Sequence, residues 1–288
     1  MLKKVCLLLF PFFAIGQDFE PQSNKGEHVR HSFYTLSYVE QHEQAEWVYY
    51  ILSEELAGGT QTRTNNFRSD PLVKTISASL ADYQASGYDR GHLAPAGDMT
   101  INVTAMSESF FMSNMSPQLP GLNRGKWKNL EALFRGWTID HGPLFIVTGP
   151  IFEDNLGKIG ENGVTIPGYY YKIAYSIRDN KMIGFVMPNK KLDRSIQSFV
   201  VSVDYIESKT GLDFFHQLED NNEVALESRI APELWDFNIK SIQKKASTTN
   251  GISSAKQCAG IAKSTSNRCR SNTKNENGYC GHHQSQAK

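Results

Sequence analysis

Strand-like and helix-like segments alternate along this chain, which predicts a mixed fold, α+β or α/β. Three stretches carry that prediction. Trp127, Leu130, Phe134 and Trp137 recur at spacings of three, four and three, which lines one face of a helix over Asn123–Thr138. Leu144–Thr148 is a short, continuous apolar run, the mark of a buried strand, ended by Gly149-Pro150. Tyr169–Ile177 and Met182–Met187 are two strand-forming runs joined by a turn at Asp179-Asn180.

The other elements follow in chain order. Lys3 and Lys4 precede the apolar run Val5–Ile15, whose 11 residues fall short of the roughly 20 a membrane-crossing helix needs. With Ala14 and Gly16 ahead of Gln17, residues 1–16 read as a secretory signal cleaved near Gly16/Gln17. Cys6 opens the apolar run rather than following it, which argues against a lipid-anchored cysteine. The mature chain is expected to be soluble, free of the membrane, and secreted or periplasmic. Residues 17–45 are polar and poorly patterned and read as a linker. Trp47–Leu52 is a strand that opens the main domain, 46–240. Residues 60–71, rich in Thr, Arg, Asn and Asp, form a loop ending at Pro71. Gly87, Gly91 and Pro95 exclude a helix from Asp82–Met99, leaving a strand edge and turn. Ala105–Met112 is a short helix, and Pro117, Pro120 and Gly121 punctuate a loop over Asn114–Asn123. Ser195–Ser208 reads as one helix stopped near Gly211. No internal repeat is present.

Of the 288 residues, 40% are hydrophobic and 21% charged, an ordinary globular balance. The formal net charge of zero conceals an asymmetry. Residues 240–288 hold nine Lys or Arg against one acidic residue, whereas residues 18–239 hold 19 basic against 29 acidic. A basic end on an acidic body points to a polyanionic partner, or simply to a solvated tail.

The chemistry concentrates in Tyr88-Asp89-Arg90-Gly91-His92-Leu93-Ala94-Pro95-Ala96. Imidazole takes a proton from water near neutral pH. Guanidinium presents a fork of donors matched to phosphate oxygens. A base beside an anion clamp points to hydrolysis of a negatively charged substrate; a solvated charged turn is the plain alternative. Four further segments accompany this run: Arg63 to Pro71 upstream, Asn114-Met115-Ser116-Pro117-Gln118, Asn123-Arg124-Gly125-Lys126-Trp127, and Leu130-Glu131 with Arg135 one turn on.

In this order, the segments resemble the sugar-nonspecific DNA/RNA endonuclease family over roughly residues 45–220. Tyr205-Ile206-Glu207-Ser208 and Thr210-Gly211-Leu212-Asp213-Phe214 resemble the family's C-terminal segment. The resemblance implies an α+β fold, a central antiparallel sheet with helices, and a ββα-metal finger as active site. It implies that His92 is the general base and that Asn123 binds Mg²⁺, or another divalent ion such as Mn²⁺. A hard ion suits an oxygen donor and few protein ligands. Glu131 would hold the ion's water shell, and Arg63, Arg90 and Arg135 would contact phosphate and offset transition-state charge. Asn114 would orient the site, and Asp89 the backbone or Arg90. Plainer roles stand beside these. Asn123 has the character of a helix N-cap, and Glu131 with Arg135 that of a surface i,i+4 ion pair. Phe110 stands where some family members carry another asparagine, four residues before Asn114.

With Cys6 lost in the signal, Cys258, Cys269 and Cys280 remain, an odd number. With His283 they resemble the short Cys3His modules at the ends of some bacterial and phage proteins. Residues 241–256 then form a basic linker and 257–284 a zinc module, since the tail lacks the apolar residues for a core. A disulfide plus one free thiol is the rival. The whole predicts a secreted, Mg²⁺-dependent endonuclease acting on DNA and RNA with 5′-phosphate products. The alternatives are a non-catalytic nucleic-acid-binding protein or a phosphodiesterase for small substrates. No feature of the pattern specifies an oligomeric state.

Overall fold

A seven-stranded antiparallel sheet organises the chain. The computed structural model describes residues 18–23 and 25–238, together with 256–257, 272–273 and 286. The strands are β1 (Glu27–Arg30), β2 (Thr35–Val39), β3 (Gln44–Leu52), β4 (Asp89–His92), β5 (Met115–Gln118), β6 (Leu144–Ile151), β7 (Lys158–Ile159), β8 (Val164–Thr165), β9 (Tyr169–Ser176), β10 (Lys181–Pro188) and β11 (Val200–Val201). The helices are α1 (Glu54–Ala57), α2 (Leu80–Tyr83), α3 (Val103–Glu108), α4 (Lys128–His141), α5 (Val203–Thr210) and α6 (Asp220–Glu227). The main sheet runs β1-β2-β3-β6-β9-β10-β11, and β4-β5 and β7-β8 form separate two-stranded ribbons. The architecture is α+β.

Period-two alternation sends the sheet's side chains to two cores. Val48, Tyr50, Ile146, Tyr170, Ala174 and Phe185 face α4, and the stripe of Trp127, just before it, with Leu130, Phe134 and Trp137 is fully buried as its spacing predicts. Burial of each such side chain contributes about 1.5–3 kcal/mol before entropy is counted. Trp47, Tyr49, Val147, Ile173 and Tyr175 face the other way, against Val203, Ile206 and Leu226 of α5 and α6.

The loop expected over Asn114–Asn123 contains strand β5, and four further readings need correction. Residues 17–45 are not a linker, for the described part supplies β1, β2 and the start of β3. Phe19 is fully buried, edge-on to Phe145 at 4.9 Å and Tyr175 at 5.5 Å. β1 is a short edge strand with one buried residue, Val29, so its polar sequence hides it. Second, β6 runs through Gly149-Pro150 to Ile151. Pairing with β3 ends at Thr148, so Pro150 forfeits no hydrogen bond there. A Cβ at Gly149 would come within 2.2 Å of the Glu46 carbonyl oxygen. Third, Ser195–Ser208 is not one helix. Ile196–Phe199 forms a 3₁₀ turn, and β11 pairs with Gly184 and Phe185 of β10. α5 starts only after Ser202, whose side chain accepts from the Tyr205 amide, and stops at left-handed Gly211. Fourth, the helix over Asn123–Thr138 has a distinct first turn, Leu122–Trp127, with Gly125 out of helical geometry. Regular α4 starts only at Lys128.

Among the described residues no helix is long and apolar enough to cross a membrane. The signal segment and Cys258, Cys269, Cys280 and His283 lie outside the described residues.

Candidate active site

Strand β4 carries Asp89-Arg90-Gly91-His92 and pairs antiparallel with β5, from Asp89 opposite Gln118 to His92 opposite Met115. The chain then passes through the Leu122–Trp127 turn into α4. This ββα unit packs on the sheet through α4 and presents one cleft. Gly91 is required by close approach: a Cβ there would meet the Gln118 side chain at 2.3 Å.

The cleft is lined by Arg63, Arg90, Arg124, Lys128 and Arg135 against a single carboxylate, Glu131. His92, Asn123 and the Pro95-Ala96-Gly97 turn complete it. Five cations to one acid, on a body richer in acids than bases, select for an anion. Arg63 lies over Phe110 at 4.7 Å and Arg90 over Phe67 at 4.3 Å. Stacking on aromatic faces steadies both guanidiniums and leaves their edges for phosphate.

His92 is buried, with its ring edge-on to Phe110 at 5.0 Å. Its Nε2 meets no hydrogen-bond partner among the described residues. Burial, then the charges of Arg63 and Arg90, push the imidazole down to about 3, so it is neutral at pH 7. Phe110 therefore supplies an apolar wall beside the imidazole.

Asn114 is fully buried, and its side chain is spent on backbone. Its Oδ1 accepts from the Ala94 amide at 2.8 Å; its Nδ2 donates to the Ala94 carbonyl at 2.9 Å and the Ser109 carbonyl at 2.8 Å. It fixes the turn after His92 and does not line the cleft.

Asn123 caps neither α4 nor the turn before it. Its Nδ2 donates to Asp89 Oδ2 at 2.9 Å, and Asp89 also accepts from Arg124 at 2.5 and 2.8 Å. Asp89 thus holds Asn123 and Arg124, not Arg90. Burial raises its carboxyl, but hydrogen bonds from Arg124 and Asn123 win and hold it below the usual range. With its amide nitrogen tied down, Asn123 keeps its Oδ1 for another partner.

Glu131 and Arg135 do not pair with each other. Arg135 donates to buried Asp98 at 2.6 Å, and Asp98 also accepts from Tyr50 at 2.8 Å. Glu131 makes no hydrogen bond or ion pair among the described residues. Burial raises its carboxyl, opposed by Lys172 and then Arg135. Lys172 of β9 is fully buried beneath the cleft, between the rings of Trp127, Tyr50 and Phe134, and donates to the Leu93 carbonyl at 3.4 Å. Burial lowers its ammonium, and Glu131 opposes that.

Asp98, Lys128 and Lys172 are the residues that sequence reasoning missed. Lys172 had a signal, as the one charge in an aromatic strand, Tyr169–Ser176. Asn123 and Glu131 offer hard oxygen donors on one wall of the cleft, a donor set that fits a small divalent cation.

A ββα finger on an antiparallel sheet, opening on a basic cleft, defines a nuclease of the ββα-metal class. The chain belongs to the DNA/RNA non-specific endonuclease family, whose model matches residues 15–221. It is 34% identical to Nuclease C1 of Cunninghamella echinulata var. echinulata over 205 residues, 65% of this chain and 81% of that one. It is 35% identical to the mitochondrial Endonuclease G of Homo sapiens over 198 residues, 63% of this chain and 67% of that one. A Nostoc nuclease is 33% identical over 211 residues, 68% of this chain and 76% of that one. The crystal structure of an EndoG/EndoGI complex superposes with a TM-score of 0.63 at 32% identity, covering 68% of this chain and 88% of that one.

Proposed function

We propose that this nuclease is exported and, with Mg²⁺ or another hard divalent ion such as Mn²⁺, hydrolyses phosphodiester bonds of DNA and RNA with little sequence preference. One observation carries the reading: a buried, neutral His92, its Nε2 unpartnered, lines a cleft together with five cations and one carboxylate. Imidazole in that state accepts a proton from water, and the cations hold the anion that the water attacks.

His92 is the general base. Burial weakens it first, and Arg63 and Arg90 weaken it further, since their charges oppose its protonation. A bound phosphodiester offsets those charges, so the base strengthens as substrate arrives. Arg63, Arg90 and Arg135 contact phosphate oxygens; Arg135 spends one nitrogen on Asp98 and keeps the rest. Asn123 Oδ1 would hold the divalent ion and Glu131 its water shell, with Asp89 fixing the asparagine amide. That ion, when bound, supplies Lewis-acid stabilisation of charge on the phosphate and the leaving oxygen. Asn114 and Lys172 set the backbone immediately after His92 through the Ala94 and Leu93 carbonyls. Charges that meet phosphate read no base edges, which accounts for low sequence preference. Residues 1–16 direct export, and Cys258, Cys269, Cys280 and His283 hold a structural zinc ion that presents the tail's basic residues to nucleic acid.

A plasmid and an RNA transcript, incubated with the purified chain in Mg²⁺ or EDTA, test the reading. Both polymers are cut in Mg²⁺ and spared in EDTA. Intact polymers in Mg²⁺, or turnover of a small phosphodiester alone, overturn it. Metal analysis of the purified chain tests the tail separately, with about one zinc per chain expected.

A further inference from the structure

On the sheet face opposite the cleft, three carboxyls from two helices converge. Asp204 and Glu207 lie one turn apart on α5, and Glu227 ends α6; each offers an oxygen within 4.8 Å of the others. Glu227 is the unusual member. It is only 4% exposed, and its Oε1 is enclosed with no hydrogen-bond partner among the described residues. The charges that act on it most are those of Glu207, Glu223, Asp204 and Asp213, all of the same sign.

An enclosed carboxylate oxygen without a donor is costly, and like charges around it add to the cost. A proton shared between two carboxyls is the usual remedy, but Glu227 Oε1 meets no such partner among the described residues. Glu207 spends one oxygen on the Phe214 amide, at 2.8 Å. What the cluster lacks is positive charge that can be reached from several oxygens at once. Ca²⁺ takes oxygen ligands at about 2.3–2.6 Å, so ligands across the ion stand just under or over 5 Å apart. Oxygens within 4.8 Å of one another lie inside that span, and Ca²⁺ accepts an irregular set where Mg²⁺ demands near-ideal octahedral geometry.

We infer that Asp204, Glu207 and Glu227 form a divalent-cation site suited to Ca²⁺, which ties α5 to α6 on the face of the sheet away from the cleft. Its role is structural. Ile206 and Leu226, beside the ligands, pack into the second core with Tyr171 and Ile173. Solvent reaches the site through Asp204, which is exposed.

Thermal unfolding and calorimetric titration of the full chain, stripped with EDTA and returned to Ca²⁺, test the site. A Ca²⁺ concentration about 100-fold above Kd raises the Tm of the wild type on the order of 5–10 °C. Glu227→Gln removes that rise and one bound ion, leaves nuclease turnover in Mg²⁺ at the wild-type level, and melts no lower than the wild type in EDTA. Asp204→Asn, at an exposed position, repeats the loss without risk to the core. A wild-type Tm indifferent to Ca²⁺, or a rise that survives in both variants, overturns the site.

Discussion

The two faces of the central sheet treat buried charge in opposite ways. At the cleft three acids have cations close by: Asp98 holds Arg135, Asp89 holds Arg124, and Glu131 lies in the field of Lys172 and Arg135. On the far face Glu227 is surrounded by carboxylates. Burial acts on Glu131 and Glu227 alike, raising both, but only Glu131 has lysine and arginine pulling the other way. Buried acids are thus not of one kind. A compensated carboxylate inside a basic cleft suits a site whose substrate is an anion. An uncompensated one, facing two more carboxylates, suits a site whose ligand is a cation.

Breaking the cleft at its base gives the largest effect. His92→Ala lowers kcat on DNA by about 10²–10⁴-fold, the usual range for a general base, with the far-ultraviolet circular dichroism spectrum unchanged. Removing the compensating cation comes next. Lys172→Met leaves Glu131 without its strongest opposing charge and costs about 3–5 kcal/mol in urea unfolding, as loss of one member of a buried charged set does. Glu227→Gln, on the face without compensation, costs nothing comparable in the absence of Ca²⁺. A smaller effect follows from Asp89→Ala. It frees the Asn123 amide and raises the Mg²⁺ concentration for half-maximal rate by about 10–100-fold, the range for a residue that orients a metal ligand.

The smallest effect is on stability as pH falls. His92 is held near 3 in the folded chain, against about 6.5 when unfolded, so below pH 6.5 the unfolded state binds the extra proton. Stability from this residue is present above pH 6.5 and falls as the pH drops towards 3. At pH 5 the loss is about 2 kcal/mol. His92→Gln lacks it, so its Tm drops less than that of the wild type between pH 7.5 and pH 5.

Much of the cleft was legible because its residues come in short runs. Asp89 to His92 share one strand, and Asn123, Glu131 and Arg135 one turn and helix, so the order of runs that resembles a nuclease family also brings them to one cleft. The stripe from Trp127 to Trp137 announced its helix through period alone. What stayed hidden depends on distant partners. Asp98 and Lys172 matter because folding brings them to Arg135 and the Leu93 carbonyl. Residues 17–45 look like a linker because β1 is a polar edge strand and Phe19 finds its pocket only in the finished core. The break between Phe199 and Val203 arises from pairing with β10, which no helical periodicity announces.

The central claim is that the His92 imidazole takes the proton from the attacking water, and chemical rescue tests it most directly. His92→Gly leaves an imidazole-sized space beside Phe110 while the cations of the cleft stay in place. Single-turnover cleavage of a plasmid in Mg²⁺ is slow for this variant and recovers in proportion to added imidazole, whereas the wild type does not respond. A His92→Gly variant that cleaves at the wild-type rate without imidazole contradicts the account.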